Sequence, residues 1–157
     1  MKKLKLSITL ILGIGVMILA QSCEKEGSSK GCGESNISRA GSDESHNNNQ
    51  NCMSCHASGG SGEGCFFVAG TAYKSDKTTA ANAGSIKLYT EANGGGTLKH
   101  TVAIDVLGNF HTTENIDMTG LFPAITLGGK EHYMSTAPSN GSCNTCHGVS
   151  TDKLWGE

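Results

Sequence analysis

The sequence predicts a mainly β fold, a small sandwich of short strands. Three observations lead there. Short segments of alternating or continuous apolar residues recur between residues 66 and 134. Gly-rich turns separate them, and no segment beyond the first twenty residues carries a sustained helical apolar stripe.

The elements follow in order. Met1 to Lys5 holds three lysines, Leu6 to Ala20 is uncharged and mostly apolar, and Ala20-Gln21-Ser22-Cys23 follows. A basic start, a short apolar stretch and small residues make residues 1–22 a secretory signal. The apolar stretch is short for a bilayer-spanning helix and runs directly into polar sequence. Residues 23–51 are rich in Gly, Ser, Asn and charge, with Cys32, Ile37 and Ala40 the only apolar members after Cys23. They are expected to form a flexible tether without a core of its own. Residues 52–157 make the domain, with its sandwich core at about 66–134.

Within that core, Cys65-Phe66-Phe67-Val68 opens a strand that continues through Gly70 to Tyr73. Ser85 to Thr90 alternates as a half-buried strand should. Thr97 to Val106 is the next strand, Leu107-Gly108-Asn109 a turn, and Phe110 to Thr113 the strand after it. Ala124 to Leu127 is joined through Gly128-Gly129 to Lys130 to Met134, and two residues with free access to positive φ suit a tight hairpin.

Removing the leader takes three lysines and no acids, which leaves 9 basic against 14 acidic residues, a net charge of −5. So acidic a chain is a poor nucleic-acid binder, and its partners are expected elsewhere.

The chemistry is carried by a phrase written twice. Cys52-Met53-Ser54-Cys55-His56 returns as Cys143-Asn144-Thr145-Cys146-His147, with 86 residues between the two. Two thiols spaced as CxxC can add to the two vinyl groups of one haem, and the His directly after the second Cys then lies beneath the iron. On this reading Cys52, Cys55 and His56 serve one covalently bound haem c, and Cys143, Cys146 and His147 serve a second. Three other readings compete. Zinc takes four Cys or His ligands, which two such motifs supply; a redox dithiol wants a βαβ setting that is absent here; and the cysteines can pair as structural disulfides.

A haem iron takes a sixth ligand as well. For the first motif the expected residue is His46, six residues before Cys52, since an extended chain of that length reaches roughly 20 Å. For the second it is Met134, with His132 on the same strand face as the other choice. His111 is open to either haem or to a plain strand role. Cys32 and Cys65 remain and form a natural disulfide pair. Trp155 either covers a haem edge or frays with the terminus.

Residues 19–23 resemble a bacterial lipobox, which implies that Cys23 becomes a lipidated N-terminus and holds the protein on a membrane surface. Residues 66–134 resemble the carboxypeptidase-regulatory or transthyretin-like sandwiches in GTAY (70–73), GSIKLYT (84–90) and AIDVLGNF (103–110). That likeness implies a scaffold and no chemistry. The two CxxCH motifs resemble those of multihaem c-type cytochromes. Together the resemblances imply an exported, lipid-anchored dihaem cytochrome of the cell envelope, carrying single electrons between redox partner proteins. Two alternatives are a dihaem enzyme such as a peroxidase, and a partner-binding β-module that haem merely stabilises.

Overall fold

The computed structural model describes residues 31–157. The signal segment and Cys23 lie outside the described residues. The mainly β sandwich expected from sequence is what forms. Its strands are β1 (Val68–Thr71), β2 (Ser85–Tyr89), β3 (Leu98–Ala103), β4 (Asn109–Thr112), β5 (Phe122–Leu127), β6 (Lys130–Tyr133) and β7 (Gly141–Ser142). They make a three-stranded sheet in the order β4-β1-β7 and a four-stranded sheet in the order β3-β2-β5-β6. All pairings are antiparallel except β1 with β7.

Alternation sets the facing of β2. Ile86 and Leu88 are buried, while Ser85, Lys87 and Tyr89 are half-exposed on the other side. Ile86, Leu88, Val102 and Ile104 meet Val68 and Phe110 from the other sheet, and these form one core with Ile116, Met118 and Leu121. Each large apolar side chain so buried contributes about 1.5–3 kcal/mol. The β5–β6 hairpin turns on Gly128 (φ 56°) and Gly129 (φ 82°), the two positive values that its tight turn needs.

Three strands are shorter than expected, each for a local reason. The third stops at Ala103 rather than Val106, because the buried Asp105 carboxylate accepts from the amides of Leu107 and Asn109, both at 2.9 Å, and bends the chain. The first begins at Val68 rather than Cys65, since the amide of Phe66 donates to the His56 carbonyl at 3.0 Å. Met134 lies just past β6, with its amide donating to Pro123 at 2.9 Å. β7, which sequence reading did not anticipate, runs beside β1 and leads directly into Cys143.

The tether needs a correction. From Cys32 onward it is laid along β4, the edge strand of the smaller sheet. Ile37 bridges Thr112, and Asn36 and Thr113 bond each other through the Asn36 amide to Thr113 Oγ1 at 2.9 Å and the Thr113 amide to the Asn36 carbonyl at 3.1 Å. Ser38 is buried and its hydroxyl donates to the Ala103 carbonyl at 2.6 Å. Asn48 donates to the Leu107 carbonyl at 2.7 Å. A disulfide joins Cys32 to Cys65 with Cα atoms 4.6 Å apart, as expected. Low apolar content reads as disorder, but here polar side chains and main chain satisfy a strand edge that water would otherwise face.

Candidate functional site

The two CxxCH segments fold alike. Cys52–Ser54 and Cys143–Thr145 each form one 3-10 turn. In the first, the Cys52 carbonyl accepts from the amides of Cys55 (3.2 Å) and His56 (3.0 Å); in the second, the Cys143 carbonyl accepts from Cys146 (3.3 Å) and His147 (3.0 Å). The third residue of each motif is a hydroxyl that closes the same loop. Ser54 Oγ donates to the Asn51 carbonyl at 2.7 Å, and Thr145 Oγ1 donates to the Ser142 carbonyl at 2.6 Å.

Both histidines are oriented in the same way. His56 Nδ1 lies 2.9 Å from the Glu63 carbonyl, and His147 Nδ1 lies 2.9 Å from the Asp152 carbonyl. A carbonyl oxygen only accepts, so Nδ1 carries the proton in each ring and Nε2 keeps its lone pair. A backbone partner on one ring nitrogen, leaving the other to bind, is the usual support of a metal-ligating imidazole.

The surroundings of the two rings differ. His56 is buried, stacked on Phe66 at 4.1 Å between centroids and 8° between planes. Burial pushes this imidazole below its ordinary pKa. The other side is closed by Gly62, where a Cβ would come within 2.7 Å of the ring. His147 is half-exposed.

His46 is brought to the first motif. It lies between two pinned residues: Asn109 Nδ2 donates to Ser45 Oγ at 2.9 Å and to Asn48 Oδ1 at 2.7 Å. Its ring centroid is 6.0 Å from that of His56. Two imidazoles bonded at about 2 Å to opposite sides of one metal ion have centroids roughly 6 Å apart. The spacing therefore suits an iron held between them. Met134 is tied to β5 through its amide bond to the Pro123 carbonyl, and His132 is packed on Trp155 at 4.8 Å. Trp155 does not fray, since the chain on either side of it bonds to Tyr73 in strand fashion. His111 stacks on the far face of Phe66 at 4.6 Å, and its Nε2 lies 2.8 Å from Asn36 Oδ1. Burial holds its pKa down at about 4. That nitrogen is already engaged, so His111 supports the stack.

The sulfurs bear on the competing readings. Cys52, Cys143 and Cys146 are free thiols. Burial raises the Cys52 thiol and pushes the Cys143 thiol up to about 12. A redox dithiol needs the opposite shift. Cys55 is in a disulfide in this structure and must be reduced before it can form a thioether. Among the described residues no three of His, Cys, Asp and Glu converge on a point where a metal ion could be held. Cys143 and Cys146 present a thiol pair followed by an imidazole, and Cys52 with Cys55 would present the same set once Cys55 is reduced; this donor chemistry fits two haems of the c type.

The motifs are also neighbours, which their separation in sequence does not reveal. Ser142 Oγ donates to Asn51 Oδ1 at 2.8 Å, joining the residue before one motif to the residue before the other. Both turns rest on β1, where the Thr71 amide donates to Asn144 Oδ1 at 2.8 Å and Thr71 Oγ1 accepts from the Asn49 amide at 2.8 Å. Sequence reading passed over Phe66, Asn51, Ser142 and the paired hydroxyls. Of these only Ser54 and Thr145 leave a signal, the matching third letter of the two motifs. No protein-family model, curated protein or solved structure matches the chain.

Proposed function

We propose that this chain is an exported, lipid-anchored dihaem c-type cytochrome that passes single electrons between redox proteins at the bacterial cell envelope. The observation that carries the reading is the double construction of the same turn, with each following histidine held through Nδ1 to a backbone carbonyl. Cys52 and Cys55 would hold one haem by thioethers and Cys143 and Cys146 the other, and His56 and His147 would bind the two irons. His46, with its ring centroid 6.0 Å from that of His56, would be the second histidine to bind the first iron. Met134 stays the proposed sixth ligand for the second on sequence grounds alone. When bound, such a group supplies an iron that alternates between ferric and ferrous, gaining or losing one electron with no bond made or broken.

The chain's own residues prepare for this. The Glu63 and Asp152 carbonyls fix the tautomer and direction of the two imidazoles and raise their basicity. Phe66 and Gly62 leave the His56 ring no room to turn. Burial around His56 and greater exposure around His147 would give two such centres different dielectrics, one of the means by which proteins separate redox potentials. Carboxylates exceed basic groups in the chain that follows the leader, which favours a redox partner with a basic face.

The test is the intact mass of the mature protein made in a host competent for haem attachment, before and after denaturation. An increase of two haems that survives denaturation supports the reading. Absence of covalent haem overturns it.

A further inference from the structure

Two CxxCH motifs in one chain need not act together. Here the contacts between them are specific. Asn51 is the cap of the first turn, its Oδ1 accepting from the Met53 amide at 3.1 Å, and the same oxygen accepts from Ser142 Oγ at 2.8 Å. Ser142 in turn is the cap position of the second turn and the last residue of β7, paired with Ala69 of β1. A second contact lies beside the first. A Cβ on Gly148, the residue after His147, would come within 2.5 Å of Asn49 Oδ1, so the two backbones meet with only that amide between them. Asn49 Oδ1 is buried and has no hydrogen-bond partner among the described residues. Buried carbonyl oxygens are rarely left so, and this one lies against the backbone that follows the second motif.

We propose that Asn51, Ser142 and Asn49 form a clasp that holds the two haem-binding turns in one fixed relation, so that the haems act as an electrostatically coupled, directly exchanging pair. The inference rests on the dihaem reading above. In the exchange one electron leaves one iron, which passes from ferrous to ferric, and enters the other, which passes from ferric to ferrous. No proton moves and no bond changes. The single electrons come from and go to redox proteins outside the chain. Centres held on two turns in this contact would feel each other's charge more strongly than centres separated by solvent. The three residues are positioning residues that set this relation.

The test uses the full-length protein carrying both haems, verified by mass, with a potentiometric titration and low-temperature EPR of the ferric form. The wild type is expected to show two separated one-electron steps and magnetic interaction between the ferric centres. Ser142→Ala, which removes only the donor of the clasp, is expected to weaken the magnetic interaction. It is also expected to lower the constant for sharing one electron between the sites about threefold or more, near 30 mV in the separation of the steps. Ser142→Thr keeps the hydroxyl and is expected to restore the wild-type pattern, which a merely structural role would not require. Two attached haems that titrate independently in the wild type, or a Ser142→Ala protein identical to it, overturn the clasp while leaving the dihaem reading intact. A chain that attaches no haem, or one, overturns both.

Discussion

Gly62→Ala separates the first of the two proposed haem sites from the second. A Cβ at position 62 falls 2.7 Å from His56 Cγ and Nδ1 and 2.8 Å from Cε1. Ordinary contacts between such atoms are about 3.5–4.0 Å, so the ring must retreat by roughly 1 Å. It has little room, since Phe66 stacks 4.1 Å away on one face and Nδ1 is bonded to the Glu63 carbonyl at 2.9 Å. Overpacking of this kind costs about 1–3 kcal/mol, and loss of the carbonyl bond adds about 0.5–1.5 kcal/mol. An iron–nitrogen bond near 2 Å does not stretch by half its length, so the displaced ring should weaken or lose its bond to the iron. The assay is the ferric visible and EPR spectrum of protein with both haems attached. One haem is expected to change its ligation signature while the other keeps its own. Equal changes at both haems, or none, would refute the reasoning that ties Gly62 to His56 alone.

Three further outcomes are expected. His46→Ala should convert only the first haem from a six-coordinate low-spin to a five-coordinate or water-ligated ferric spectrum, and an unchanged spectrum would remove His46 as a ligand. Cys32→Ser with Cys65→Ser opens a bridge across a sequence separation of 33 residues and should cost about 4 kcal/mol in a denaturant titration, loosening residues 32–51 first in hydrogen exchange. His111 has a folded-state pKa of about 4 against 6.5 in the unfolded chain, so the unfolded state binds more protons between those values and stability falls as pH drops through that window. Asp105 opposes this shift, while His56 and His46 deepen it. The loss should reach up to about 3 kcal/mol between pH 7 and pH 4, and His111→Leu should remove that share of the pH dependence; stability that is flat or rises on acidification would contradict it.

Where sequence and fold agree, a local rule was enough. Ile86 and Leu88 alternate with polar neighbours, and Gly128-Gly129 can do little other than turn, so strand and hairpin were readable from adjacent letters. The Cys32–Cys65 pairing followed from the two cysteines left over, and it forms. Residues 32–51 were misread because their attachment uses Asn and Ser side chains and main chain, and composition scales weigh apolar burial only. The site divides in the same way. The motif residues stand out because two cysteines and a histidine recur at one spacing, and both copies fold into the same turn. The carbonyls of Glu63 and Asp152 are invisible in sequence, since every residue has a carbonyl. The meeting of Asn51 with Ser142 depends on β7 pairing with β1, a contact between distant segments that no local pattern announces.

The docking of the segment along β4 alters how far the molecule reaches from a membrane. If Cys23 is the lipidated residue, nine residue steps separate the lipid from Cys32, which the disulfide fixes to Cys65 beside the first CxxCH motif. Fully extended, nine steps cover at most roughly 30 Å, about the thickness of the bilayer's own hydrocarbon layer. A leash of that length keeps the domain at the lipid surface instead of letting it sweep across the compartment. Electron donors and acceptors would have to come to the membrane to meet it, and the encounter becomes a search in two dimensions.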